Sequence, residues 1–217
     1  MIRRDNKIKI NKINLDQVLN IEKYGELYKD ALFFDLEHYV YKKPVCVGVF
    51  GCCYYDEAEE ALKVTQYMIE NSADAIDILH LAKDYFTEML EKYNKKYIVT
   101  FSGNNDYTVI NYLFNKYKID IKVEDYFNSI DLQKEYEKEK GYCIGLKALE
   151  KEFDIIRDSE LISGSNLAKT FHKIMKDKDY ADRMPDCKKE KILLYNEQDV
   201  VSLFHIYTSW KKILQET

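Results

Sequence analysis

Apolar residues in the first half of the chain occur in short runs bounded by polar sequence. Residues 31–34 form the first such run, residues 44–50 a second and residues 97–101 a third. Short, bulky runs of this kind are typical of buried β-strands. The run at 31–34 continues into Asp35-Leu36-Glu37, so a predicted core strand ends in two acids.

A different spacing governs much of the remaining sequence. Apolar residues recur there every three or four positions, which is typical of amphipathic helices. We predict helices at 77–93, directly after residue 106, at 132–140, at 146–153, at 165–175 and from about 188 to 214.

The N-terminal segment stands apart from this pattern. Residues 1–30 are mixed and charged, and we predict a short strand or helix that packs on a domain of residues 31–217. A chain of 217 residues suits one domain with a substantial core. Two prolines are too few for a Pro-rich linker, so no disordered hinge is expected.

Asp35 and Glu37 are two residues apart on a predicted strand, so their side chains point to the same face. Carboxylates side by side repel, and burying them without compensation is costly. Such a pair indicates a metal site or proton transfer. The alternative is a strand end that has reached solvent, and this stretch alone does not decide between them.

Two more acidic positions follow along the chain. Asp106 lies where a predicted strand ends and a helix begins, a place where ligands gather in α/β sheets, although Asp also favours helix N-caps. Asp199 lies four residues after Tyr195, on the same face of the last predicted helix and among apolar residues. The alternative is a polar stripe shared with Glu197 and Gln198.

Charge and cysteine content limit the functions to consider. The net charge of −5 and pI of about 5.5 are not those of a generic nucleic-acid binder, although a local basic rim and bound metal ions can still serve a phosphate chain. Five cysteines without CxxC spacing argue against a disulfide framework or a zinc knuckle. Free thiols, with no signal peptide and no membrane-spanning run, lead us to expect a cytoplasmic protein without a membrane partner.

The order Asp-x-Glu, Asp, Tyr-x-x-x-Asp resembles the three exonuclease motifs of the DEDD superfamily, in its Tyr-containing branch. The segments 33–37, 99–103, 162–164 and 195–203 are similar to those of bacterial YprB-like ribonuclease H-like proteins. The resemblance covers residues 30 to 210. It implies an α/β ribonuclease H-like fold, with a central mixed five-stranded sheet flanked by helices.

The resemblance also implies roles for the acids. Asp35 would bridge two metal ions, Glu37 and Asp199 would complete one of them, and Asp106 would hold the other through water. Carboxylate oxygens suit Mg²⁺ or Mn²⁺, and two such ions about 4 Å apart can clamp both oxygens of a phosphoryl displacement. Tyr195 would orient the attacking water, because a phenol with a pKa near 10 is a poor base at neutral pH.

The second motif, and the residue that follows Glu37 in the first, depart from the family pattern. Ser102 stands where relatives carry Asn, Asn105 precedes Asp106, and His38 replaces the Thr of many relatives. The residues expected to contact substrate are His38, Ser102, Gly103 and Asn105.

The sequence therefore predicts a metal-dependent nuclease that hydrolyses phosphodiester bonds, with the 3′–5′ exonuclease polarity implied by the resemblance alone. The expected partner is DNA or RNA with a single-stranded 3′ end. One alternative is a ribonuclease H-like module that binds nucleic acid or a protein without cleaving. Another is a sugar hydrolase with two carboxylates and no metal, which leaves Asp199 and Tyr195 unexplained. Chelator sensitivity discriminates among the three.

Overall fold

Six strands form one mixed sheet in the computed structural model, which describes residues 1–21, 26–157 and 162–214. The strands are β1 (Ile2–Lys9), β2 (Ala31–Tyr41), β3 (Lys43–Asp56), β4 (Ala61–Met68), β5 (Tyr97–Thr100) and β6 (Asn128–Asp131). Their order across the sheet is β1-β4-β3-β2-β5-β6. β2 pairs antiparallel with β3 and parallel with β5, while β6 continues the parallel side.

Seven α-helices are present in the described residues. They are α1 (Asp74–Glu91), α2 (Asn104–Lys116), α3 (Val123–Tyr126), α4 (Leu132–Lys140), α5 (Leu146–Glu152), α6 (Gly164–Lys176) and α7 (Asp186–Thr208). Short 3₁₀ turns occupy Leu15–Gln17, Leu27–Asp30 and Trp210–Leu214. None of the helices in these parts of the chain is both long and apolar enough to cross a membrane.

Two apolar clusters, one on each face of the sheet, explain why β2 is buried. Leu32, Phe34 and Leu36 join the cluster that includes side chains of α1, α2 and α6. Ala31 and Phe33 belong to the opposite cluster, which includes the C-terminal half of α7. Since side chains of a strand alternate between faces, β2 needs apolar residues at successive positions. This confirms the prediction of a buried strand at 31–34.

The sheet contains one strand more than the five expected. The additional edge strand is β1, which pairs antiparallel with β4 from Ile2↔Met68 to Lys9↔Ala61. Its inward-facing positions include Arg4 and Asn6, and both contact Glu197 of α7. Because these inward contacts are polar, hydrophobic alternation does not reveal the strand.

The cysteines of β3 lie in the core. Cys46, Cys52 and Cys53 are buried, while Cys143 and Cys187 are exposed, and all five are free thiols. Cys52 packs in the apolar cluster on one face of the sheet and Cys53 in the cluster on the other. Burial raises the pKa of the Cys46 thiol to about 12, so it stays protonated at neutral pH.

Phe33 should be a main anchor of α7 on the sheet. Its ring centroid lies 5.3 Å from that of Phe204 and 6.0 Å from that of Tyr207, in edge-to-face geometry. We expect Phe33→Ala to lower the free energy of unfolding by about 3–5 kcal/mol, because a cavity replaces these contacts. Urea denaturation followed by circular dichroism measures this. Tyr41→Ala is the control, since Tyr41 is 66% exposed, and equal losses in the two variants would contradict the assignment.

Candidate metal centre

Three carboxylates meet where β2 passes under α7. Asp35 and Glu37 follow Phe33 on the same face of β2, and that face packs against the C-terminal half of α7. Asp199 projects from α7 and is buried. One carboxylate oxygen from each of the three residues lies within 4.8 Å of the others. The alternation of side chains along β2, which predicted that Asp35 and Glu37 share a face, also points both carboxylates toward α7.

Asp106 lies beside this group but not within its tightest set. It is buried in the first turn of α2, where Gly103 is the N-cap residue, so Asp106 is not itself the cap. Its Oδ1 is 4.0 Å from Nδ1 of His38. Burial is the largest cause of its raised pKa, followed by the charges of Asp35 and Asp131, and Asp199 adds a smaller contribution. Asp106 therefore belongs to the same electrostatic site as the other three acids.

The turn between β5 and α2 is sterically constrained. Ser102 adopts a left-handed backbone with φ of 56°, and its amide donates to Oδ1 of Asp131 at 2.9 Å. A Cβ on Gly103 would lie 2.2 Å from the Thr100 hydroxyl oxygen, so only glycine fits there. Asn105 lies beside this turn, with its Nδ2 3.2 Å from Nε2 of His38. The four residues expected to contact substrate, His38, Ser102, Gly103 and Asn105, therefore lie around Asp106. Gly103 is buried, and its role is to allow the tight backbone turn.

Asn196, which the sequence analysis did not single out, holds Asp35 in place. Asp35, Gly51 and Gln66 lie opposite one another on β2, β3 and β4. The Asn196 side chain lies over Gly51, donates to Oδ2 of Asp35 at 3.0 Å and accepts from Nε2 of Gln66 at 2.8 Å. Asn196 is fully buried, and a Cβ on Gly51 would lie 2.0 Å from its Oδ1. Gly51 thus leaves room for the Asn196 amide, and this neutral amide holds the Asp35 carboxylate in place.

Two cations enter the site from the segment around α5. Lys147 Nζ and a guanidinium nitrogen of Arg157 both donate to Oδ1 of Asp199. Arg157 also forms a two-point ion pair with Glu150, in which Nε lies 2.7 Å from Oε2. Lys147 was not predicted. A lysine in a charged helix has the same sequence signature as a solvated one.

The same cations cover the ring of Tyr195. Lys147 Nζ lies 4.4 Å and the Arg157 guanidinium carbon 5.4 Å from the ring centroid. Burial, followed by the charges of Asp199 and Glu37, raises the pKa of the Tyr195 phenol above its ordinary value. The phenol is therefore protonated at neutral pH, where it can donate a hydrogen bond but cannot act as a base.

The carboxylates carry more negative charge than the protein neutralises. Burial raises the pKa of Asp35 to about 7, and the Asp199 charge adds to the effect. Burial and the Asp35 charge raise the pKa values of Glu37 and Asp106 well above the ordinary range. Within the described parts of the chain, the Glu37 carboxylate has no hydrogen-bond or ion-pair partner. Uncompensated oxygen donors of this kind fit a divalent cation such as Mg²⁺ or Mn²⁺.

Fold and site together define an α/β domain with an acidic centre beside the carboxyl ends of its parallel strands. The RNase_H superfamily model matches residues 32–211. The chain belongs to this superfamily, whose membership suggests nuclease-type hydrolysis, nucleic-acid binding and use of divalent metals. No curated protein matches the chain. The expectation of a ribonuclease H-like α/β fold is confirmed.

The raised pKa of Asp35 predicts a specific pH dependence of stability. A carboxyl whose pKa is higher in the folded protein destabilises it increasingly as pH rises from the unfolded value near 4 to the folded value of about 7. With chelator, Asp35→Asn should therefore melt higher than wild type at pH 7, and the difference should shrink toward pH 4. Each 1 kcal/mol corresponds to about 2–4 °C in a domain of this size. Thermal melts across pH test this, and a difference independent of pH would contradict it.

Lys147 should compete with a metal ion for Asp199. Removing its charge leaves the cluster more negative, so Lys147→Gln should tighten Mn²⁺ binding by about three- to tenfold, as expected for one charge near a partly buried site. Isothermal titration calorimetry gives the dissociation constant. Lys151→Gln is the matched control, because Lys151 is exposed on the same helix. Unchanged or weaker Mn²⁺ binding by Lys147→Gln would show that Lys147 does not oppose the ion.

Proposed function

We propose that this protein is a metal-dependent 3′–5′ exonuclease that removes nucleotides from a single-stranded 3′ end of DNA or RNA. The observation that carries the proposal is the convergence of Asp35, Glu37 and Asp199 beside buried Asp106. Four carboxylates in one cleft provide oxygen donors for Mg²⁺ or Mn²⁺ and few groups for other chemistry. Superfamily membership supports the phosphodiester substrate.

The acids divide into two sets that suit two ions. Asp35, Glu37 and Asp199 would hold one ion, since their oxygens lie within 4.8 Å of one another. Asp106 would complete a second with Asp35, whose charge already raises the pKa of Asp106. Divalent ions in such a pair make water more acidic and stabilise charge on the attacking and leaving oxygens of a phosphodiester.

The other side chains of the site would position the reactants. The protonated phenol of Tyr195 can donate a hydrogen bond to a scissile phosphate or align a water beside it. Lys147 and Arg157 are bound to Asp199 in the metal-free protein, and a metal ion on Asp199 would free them for phosphate oxygens, which guanidinium and ammonium groups bind well. His38 and Asn105, joined at the rim by a 3.2 Å contact, would meet the sugar or base.

The 3′–5′ polarity rests on the order of the acidic motifs, Asp35-x-Glu37, Asp106 and Tyr195-x-x-x-Asp199, which resembles that of DEDD exonucleases. A second candidate function also has an observation in its favour. Lys147 and Arg157 already neutralise Asp199, as expected in a ribonuclease H-like module that binds without cleaving. Both candidates would bind nucleic acid, but only the exonuclease would cleave it.

Cleavage of end-labelled oligomers tests the exonuclease. With Mn²⁺, a 5′-labelled DNA or RNA strand should shorten progressively from its 3′ end, and chelator should stop the reaction. Asp35→Asn and Asp199→Asn should abolish cleavage, because each removes the charge of a metal ligand. Tyr195→Phe should slow it by roughly 10²–10⁴-fold, the usual range for a positioned proton donor or acceptor.

Glu197→Gln is the matched control for these variants. Glu197 is a buried acid on α7, but its carboxylate accepts from Asn6 at 3.1 Å and lies near Arg4 on β1, outside the site. Full activity in Glu197→Gln beside inactive Asp199→Asn would tie catalysis to the cluster. Oligomer binding without any cleavage in wild type would instead support the module, and full activity in Asp199→Asn would refute the metal assignment.

A further inference from the structure

A groove of about 370 Å³ lies between α6 and the start of α7. We call it the basic groove. Its lining carries Lys169 and Lys173 from α6 and Lys188 and Lys191 from α7, with Tyr180 between the helices. Its floor is apolar or neutral, formed by Ile162, Leu167, Thr170 and Ile192.

The charge of the groove opposes that of the whole protein. The net charge of the chain is −5, yet the described residues that line the groove include four lysines and no carboxylate. Like charges gathered in a concave surface repel one another and create a positive potential. A groove of this kind attracts an anionic ligand.

The lysines near the groove differ in their contacts. Lys169 and Lys173 are exposed and form no ion pair within the described chain. Lys173 and Lys188 lie with Nζ 5.5 Å and 5.8 Å from the Tyr180 ring centroid. Lys189, the middle lysine of the run that opens α7, pairs instead with Glu70 at 2.9 Å and lies outside the groove. Lys188 and Lys191, on the other side of this helix turn, line the groove.

The basic groove and the metal centre lie along one face of α7. Lys188, Lys191 with Ile192, Tyr195 and Asp199 follow one another at three- or four-residue spacing, so they lie on one face of α7. At 1.5 Å per residue, Lys188 is about 16 Å from Asp199 along the helix axis. A ligand long enough to occupy both places must therefore be extended, with repeated negative charge.

We propose that the basic groove binds the sugar–phosphate backbone of a single nucleic-acid strand whose 3′ end occupies the metal centre. A positive groove with an aromatic side chain and an apolar floor is the arrangement that binds single strands without sequence preference. The volume is at the lower end of the range for small-molecule sites, about 300–1,000 Å³. The position of the 3′ end rests on the proposed function, whereas strand binding by the lysines does not.

The test measures binding separately from catalysis. Fluorescence anisotropy with labelled single-stranded and duplex oligomers is recorded in chelator, so that nothing is cleaved. Lys169→Glu combined with Lys173→Glu should weaken single-strand binding at least about tenfold. The combination should also reduce the salt slope by about 1.4, as expected for two lost phosphate contacts on a single strand.

The matched control is Lys92→Glu combined with Lys96→Glu. These lysines are also exposed and four residues apart, and they precede β5, at the end of the sheet away from the carboxyl ends of β5 and β6. The charge change is the same, and binding should stay within about twofold of wild type if the effect is local rather than a matter of net charge. If the glutamate pair in the groove melts below the assay temperature, Lys169→Gln with Lys173→Gln should still weaken binding.

Hydrolysis of bis(p-nitrophenyl) phosphate with Mn²⁺ separates this proposal from the proposed function. This small diester needs only the metal centre, so the groove variant should hydrolyse it like wild type. If the groove variant loses strand binding and the wild type hydrolyses no diester, the strand-binding proposal would be supported and the exonuclease proposal would be refuted. Equal oligomer binding by groove and control variants, equal affinity for duplex and single strand, or no binding by wild type would each overturn the groove.

Discussion

The burial of like-charged carboxylates against α7 is the constraint on which the rest of this structure depends. Asp35, Glu37 and Asp199 repel one another, and burial together with the charge of Asp199 raises the pKa of Asp35 to about 7. Close approach of these groups is unfavourable unless another interaction enforces it. The edge-to-face contact of Phe33 with Phe204 contributes such an interaction. It packs β2 against α7 two residues before Asp35, and so holds the strand and the helix together beside the acids.

The compensation of this charge is incomplete, and its arrangement is asymmetric. Asp35 accepts a hydrogen bond from the neutral amide of Asn196, whereas Asp199 accepts hydrogen bonds from two cations, Lys147 and Arg157. Glu150 is 2% exposed and holds the Arg157 guanidinium in place. In the proposed function, this arrangement would hold the acids together without metal and would release Lys147 and Arg157 to another anion once a metal ion bound Asp199.

Opposite charges are also arranged along a single helix face. α7 carries Lys188 and Lys191 at one end of the face and Asp199 further along it. An extended anion would therefore meet lysines first and reach the acids only where divalent ions offset them. On the binding proposed above, a chain with a net charge of −5 would still accommodate a polyanionic ligand.

The sequence by itself determined the features that follow from local periodicity. The apolar run before Asp35 predicted a buried strand, the two-residue spacing placed Asp35 and Glu37 on one face, and the four-residue spacing paired Tyr195 with Asp199 on a helix. These inferences hold because the repeats of strand and helix act over a few residues. The order of the acids also led to the ribonuclease H-like fold.

Only the tertiary structure decided which polar residues serve the site. In the sequence, Lys147 and Asn196 cannot be told from a solvated lysine or amide in a helix. The inward face of β1 carries the polar residues Arg4 and Asn6, so hydrophobic alternation does not identify the strand. These contacts join residues at least 52 positions apart in the chain. Charge compensation and amide bridges depend on which distant residues the fold brings together, and no short-range pattern encodes that.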